Sequence, residues 1–182
     1  GLGDADTLRG GTGADSLNGG FGNDSLDGGA DNDIIIGGSG GDAISGGGGD
    51  DRIDLNPGDA DGNDTIYGGD GADTILSDVG SDLIFGDAGA DSIIAGERDT
   101  IYGGSGNDTI TENNTGFDAQ LIYGGDGNDV ITMGTDADTI YGDAGADSIT
   151  GSSSDDVIYG GDNVTFSDGM GGFTTEGDTL IG

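Results

Sequence analysis

The chain predicts an all-β solenoid of stacked two-strand coils, and three observations predict it. Glycine recurs in a nine-residue period along the 182 residues. One large aliphatic residue falls at the same place in each period, and an aspartate stands two residues before it. Residues 10–18 read GGTGADSLN, 19–27 GGFGNDSLD, 37–45 GGSGGDAIS and 46–54 GGGGDDRID. The same GGxGxDxUx pattern returns at 68–76, 103–111 and 124–132, where U is the aliphatic position.

Each element of the period has a physical reading. Gly-Gly-x-Gly permits a tight turn with positive φ, which residues carrying a Cβ resist. The x-U-x that follows suits a very short strand with U inward and its neighbours outward, and many seventh positions are Thr, Ser or Val. Two periods make one flattened coil of 18 residues. Coils stack at roughly 4.8 Å, so about nine of them form a rod on the order of 40 Å long with two parallel sheets around an aliphatic seam. Helix is excluded, because glycine at this density costs about 1 kcal/mol per residue in a helix.

Laid over the whole sequence, the period gives 18 copies in one domain, 1–182. Their eighth positions are Leu8, Leu17, Leu26, Ile35, Ile44, Ile53, Ile66, Ile75, Ile84, Ile93, Ile101, Ile110, Ile122, Ile131, Ile140, Ile149, Ile158 and Leu180. Their sixth positions are Asp6, Asp15, Asp24, Asp33, Asp42, Asp51, Asp64, Asp73, Asp82, Asp91, Asp99, Asp108, Gln120, Asp129, Asp138, Asp147, Asp156 and Asp178. Insertions are expected near 55–58, 112–117 and 162–175, and the copy beginning at Ala95 is one residue short.

Composition closes several functional classes. The formal net charge is −34, with three Arg and no Lys. No basic face can therefore meet nucleic acid or an anionic membrane surface. Without His or Cys there is no imidazole base, no thiolate metal site and no disulfide framework. No apolar run is long enough for a membrane span. GGSGG at 37–41 matches a nucleophile elbow in form only, since Ser39 sits in a repeat turn with no His partner. Every pair of carboxylates recurs with the repeat, so none singles itself out for acid–base work. DADGND at 59–64 lacks the Gly and closing Glu of a calcium helix-loop and reads as an irregular turn of the repeat. The third positions are too uneven for an ice-binding array.

With these residues in place, the chain resembles the RTX, or haemolysin-type calcium-binding, nonapeptide family over essentially its whole length. The resemblance implies a right-handed parallel β-roll with calcium between turns stacked on the same edge. It implies ligands from the sixth-position aspartates (Gln120 excepted) and from backbone carbonyls of the turn glycines. In the undistorted copies these are Gly11, Gly13, Gly20, Gly22, Gly38, Gly40, Gly69, Gly71, Gly104, Gly106, Gly125 and Gly127. The family further implies type I export of an unfolded chain and folding in extracellular calcium, hence a secreted or cell-surface bacterial protein.

Electrostatics reaches the same ion from the residues alone. Stacking places Asp15 near Asp33 and Asp24 near Asp42. Like charges about 5 Å apart repel by ~3–4 kcal/mol at an effective dielectric of 20. Carboxylates and carbonyls are hard oxygen donors in flexible number, which suits Ca²⁺ better than Mg²⁺ or Zn²⁺. Eighteen copies leave at most sixteen gaps, so roughly 10–16 ions are expected. Asp4, Asp31, Asp118, Asp136 and Ser154 replace the fourth-position glycine, and the copy at 112–123 is the expected break in the ladder.

The ninth positions of alternate copies are Tyr67, Phe85, Tyr102, Tyr123, Tyr141 and Tyr159, with Leu76, Ile94, Thr111, Thr132, Thr150 and Ile181 between them. An outward aromatic ladder on one sheet follows, read as a sheet stabiliser, with a binding or assembly surface as the alternative. Both chain ends lie in repeat phase, so coils are expected to continue or to stack end to end, with 162–175 (Phe166, Met170, Phe173) as a partial cover. Three functions are carried: a calcium-folded structural module of a surface layer, adhesin or filament; the calcium-folding domain of an exported enzyme or toxin; and an enzyme in its own right, which no residue set supports.

Overall fold

A computed structural model describes residues 3–55, 62–77, 79–112, 118–161, 165–167 and 179–181. Among these residues there are nineteen strands and no helix. The odd-numbered strands, from β1 (Thr7–Thr12) to β19 (Thr179–Ile181), form a ten-stranded sheet. The even-numbered ones, from β2 (Ser16–Phe21) to β18 (Thr165–Ser167), form a nine-stranded sheet. Every pairing is parallel and joins copies two apart: Leu8 lies opposite Leu26, Ile35 opposite Ile53, Ile101 opposite Ile122. This is the β-roll architecture that the period predicts.

The aliphatic seam is as expected. The eighth-position side chains from Leu17 to Ile158 are buried between the sheets, most of them completely, which contributes roughly 1.5–3 kcal/mol apiece. In the regular copies the strand runs on through the two glycines, so position 1 also points inward; Leu17 and Gly19 are the buried pair of β2. The consequence is a second inward column that the aliphatic pattern alone does not show. Leu55, Ala95 and Met133 occupy position 1 and join the core.

Irregular copies keep the register. Ile44 still faces Ile66 across the longer copy, and Ile84 faces Ile101 across the short one. Neither the added residues nor the missing one disturbs the pairing of the flanking strands.

One expectation needs correction. The stretch 162–175 is not simply an insertion: it contains β18, which pairs with β16 (Ser148–Thr150) and sets Phe166 opposite Ile149. Leu180 then pairs with Ile158 on the other sheet and belongs to a nineteenth copy. Ile181 accordingly lies in register with Tyr159 and not on the opposite sheet. The copy escapes notice because 160–167 is one residue short, carries Val164 where Asp is expected and has Phe in place of Leu or Ile. Met170 and Phe173 lie outside the described residues.

The aromatic ladder forms as read. From Tyr67 to Tyr159 the rings stack face to face with centroids 4.5–5.0 Å apart and planes within 8° of parallel. The spacing is that of the strands themselves.

Candidate metal centre

The turns fall on two edges of the roll. Those leading into even strands carry Asp15, Asp33, Asp51, Asp73, Asp91, Asp108, Asp129 and Asp147. Those leading into odd strands carry Asp6, Asp24, Asp42, Asp64, Asp82, Asp99, Gln120, Asp138 and Asp156. Asp178 lies outside the described residues.

On both edges the sixth-position side chain has a structural task. Its Oδ1 accepts the backbone N–H of the sixth residue one coil earlier: Asp15 N–H donates to Asp33 at 2.7 Å and Asp24 N–H to Asp42 at 2.8 Å. Among the described residues fifteen such bonds run down the two edges, with Gln120 Oε1 substituting in one of them. A second ladder runs the opposite way at position 5, which the sequence reading did not single out. There Asn23, Asn32, Asn63, Asn107 and Asn128 accept the N–H of the fifth residue one coil later. The enrichment of Asn at that position is the signal that could have revealed it.

The twelve turn glycines singled out above all take positive φ, for example 108° at Gly38 and 112° at Gly40. Where the repeat departs from glycine, Asp31, Asp87, Arg98 and Asp143 accept the left-handed region instead. Three of the four are Asp, one of the residues that tolerates it best.

What distinguishes the carboxylates is Oδ2. On the even-strand edge Oδ2 is buried and without a hydrogen-bond partner in all eight aspartates, Asp15 through Asp147. Buried polar atoms are almost always satisfied, so an unbroken series of exceptions calls for a missing partner. Backbone oxygens crowd the same places. A Cβ on Gly28 would stand 2.5 Å from Asp33 Oδ2 and 2.6 Å from the Gly46 carbonyl; on Gly46, 2.5 Å from both Asp51 Oδ2 and the Gly68 carbonyl. Oxygens of two successive coils thus converge beside each first-position glycine with no donor between them. Among the described residues no three carboxylates could hold a metal by themselves, so carbonyls must complete any shell. That mixed carboxylate–carbonyl donor set is the chemistry of a hard cation of flexible coordination.

Burial leaves its mark on acidity. Desolvation first, then the neighbouring carboxylates, pushes Asp73 and Asp129 up to about 6 and Asp91 up to about 7. On the other edge Asp99 and Asp138 rise to about 7, again chiefly through desolvation. A divalent ion between the coils would reverse that penalty, since it favours the charged form.

A family model for the RTX calcium-binding nonapeptide repeat matches residues 1–35, 27–59, 60–84, 86–111, 115–140 and 132–163. The chain belongs to the RTX calcium-binding repeat family. No curated protein matches it. As an RTX roll it is a calcium-binding repeat module, and its two edges depart from the family repeat very unequally.

The even-strand edge keeps glycine at position 1 throughout: Gly10, Gly28, Gly46, Gly68, Gly86, Gly103, Gly124 and Gly142. The odd-strand edge replaces it with Leu55, Ser77, Ala95, Glu112 and Met133 in succession, and it also holds the short copy and Gln120. Here several Oδ2 atoms have partners. Ser77 Oγ donates to Asp82 Oδ2 and stands 3.1 Å from Asp99 Oδ2, while Gly96 N–H donates to Asp99 Oδ2 at 2.9 Å. Farther along, Ser152 N–H donates to Asp156 Oδ2 at 2.7 Å. Between them lies a patch where Glu112 Oε1, Asp136 Oδ2 and Asp138 Oδ2 are buried without a partner.

Proposed function

We propose that this chain is a calcium-folded structural module of a secreted or cell-surface bacterial protein, of the surface-layer, adhesin or filament kind, and does no chemistry of its own. The observation that carries the reading is the unbroken series of buried, partnerless Oδ2 atoms from Asp15 to Asp147. Without a cation these carboxylates repel one another in a desolvated ladder; with one, the same oxygens link successive coils. The sixth-position aspartates and the turn carbonyls, among them those of Gly46 and Gly68, would hold the ions. Bound calcium would supply the positive charge that lets the turns stack.

The proposed need for calcium favours life outside a calcium-poor compartment. An acidic chain without Cys is indifferent to redox conditions and stays soluble while unfolded. Among the described residues no helix is long and apolar enough to cross a membrane.

Coupling of binding to folding makes the test direct. Circular dichroism of the whole chain in chelator should show a coil. Strand signal should appear as calcium rises through ~10⁻⁴–10⁻³ M, the range of extracellular modules, and Mg²⁺ should substitute poorly. A full strand signal in chelator at pH above 7 would refute the reading.

A further inference from the structure

We propose that the odd-strand edge between Asp82 and Gln120 is closed by hydrogen bonds in place of calcium, so that the middle of the roll is a metal ladder on one edge and a metal-independent spine on the other. The inference rests on the calcium reading above and narrows it to particular gaps.

Three features of the same stretch carry it. The first is satisfaction of the carboxylates. Ser77 Oγ lies between Asp82 Oδ2 and Asp99 Oδ2, and Gly96 N–H points at Asp99 Oδ2, so donors occupy the lone pairs that are partnerless on the facing edge in Asp73, Asp91 and Asp108. A cation placed there would have to displace the donors and face their hydrogens.

The second is the next rung. Gln120 keeps the ladder bond, accepting Asp99 N–H through Oε1 at 2.6 Å, but brings no charge. Its Nε2 donates to the Gly96 carbonyl at 2.9 Å and to the Asp118 carbonyl at 3.3 Å. Backbone acceptors that could join a cation's shell are consumed by the amide.

The third is space and charge. Ser77 and Ala95 put side chains at position 1, where the facing edge has Gly86 and Gly103. A Cβ on either of those glycines would stand 2.6 Å from its own carboxylate, Asp91 or Asp108. Arg98 sits in this turn with its Nε 3.5 Å from Asp118 Oδ1; the other two arginines, Arg9 and Arg52, lie on strands. A fixed positive charge thus offsets one of the acidic groups of this turn. Together these replacements remove two rungs from the metal ladder: Asp82–Asp99 and Asp99–Gln120.

The test is a crystal structure of the whole chain grown in calcium, with ions located by anomalous scattering. Peaks are expected between Asp73 and Asp91 and between Asp91 and Asp108, with none between Asp82 and Asp99 or between Asp99 and Gln120. A peak of comparable height at either of the latter gaps would overturn the inference while leaving the calcium reading intact. Absence of peaks on both edges would overturn the calcium reading and this inference with it. In solution, native mass spectrometry of Asp91→Asn and Asp99→Asn should show fewer bound ions than the parent chain for the first and an unchanged count for the second. Loss of ions in Asp99→Asn would count against the closed edge.

Discussion

The two edges of the roll solve one geometric problem by different chemistry. Both must bring successive turns within hydrogen-bond reach, and both do so by the same Oδ1-to-backbone rung. The even-strand edge then leaves each Oδ2 buried and partnerless and keeps a glycine beside it. The odd-strand edge, from Leu55 to Met133, fills position 1 with side chains and in part satisfies the carboxylates within the protein. The difference teaches that the nonapeptide rung and the cation site are separable: the backbone register needs the first, and only the metal needs the second.

Withdrawing calcium is the harshest way to break the comparison. Burial raises Asp73, Asp91 and Asp129 on one edge and Asp99 and Asp138 on the other from 3.8 to about 6–7. Because the folded pKa values lie above the unfolded ones, the metal-free roll binds more protons than the coil. The proton-linked stability is fully present below about pH 3.8 and is lost as pH rises through about 6–7. Chelated protein should therefore gain strand signal on acidification toward pH 4 and lose it above pH 7, whereas the calcium-loaded roll should hold its signal at neutral pH. Circular dichroism across pH with and without chelator checks both arms.

Next in size are exchanges at position 1. Leu55→Ala on the odd-strand edge empties a fully buried site and should cost about 2–5 kcal/mol in denaturant unfolding with calcium present. Gly46→Ala on the even-strand edge forces a Cβ to within 2.5 Å of Asp51 Oδ2 and the Gly68 carbonyl, and should cost about 1–3 kcal/mol. The two should differ in kind as well. Gly46→Ala should also shift the calcium midpoint upward at constant denaturant, while Leu55→Ala should leave ion count unchanged.

Much of this was legible in the sequence because the period is physical. A Leu or Ile every nine residues fixed the inward column, and the same period set Asp15 beside Asp33 and Asp24 beside Asp42, though the hydrogen bond from each backbone N–H to the next carboxylate was not part of that reading. The unequal edges were harder to see, because a list of copies treats each as equivalent. Odd and even copies lie on different edges, and parity is visible only once they are sorted: Leu55, Ser77, Ala95, Glu112, Met133 and Gln120 all fall in odd copies. The inward direction of position 1 was hidden for a related reason, since glycine there has no side chain to show which way it points. Phe166 escaped because its copy breaks the length, the Asp and the aliphatic rule together.

The smallest effect sharpens the contrast between faces. Replacing Tyr159 by Thr keeps strand propensity and removes the last ring of the stack, whose centroid lies 4.5 Å from that of Tyr141. Stacked pairs contribute about 0.5–1.5 kcal/mol each beyond area burial, so a lower melting temperature with an unchanged calcium midpoint is expected by calorimetry. An unchanged melting temperature would remove the ladder from the list of stabilising elements.

The central claim is that calcium uptake and folding are one event. It is tested most directly by the folding equilibrium of the whole chain as a function of free calcium, followed by circular dichroism at fixed denaturant. The slope of the logarithm of the folding constant against the logarithm of free calcium counts the ions taken up on folding. The partnerless Oδ2 series along the even-strand edge predicts a steep slope of several ions. A slope of zero, with the roll equally stable in chelator and in calcium at neutral pH, would contradict the account.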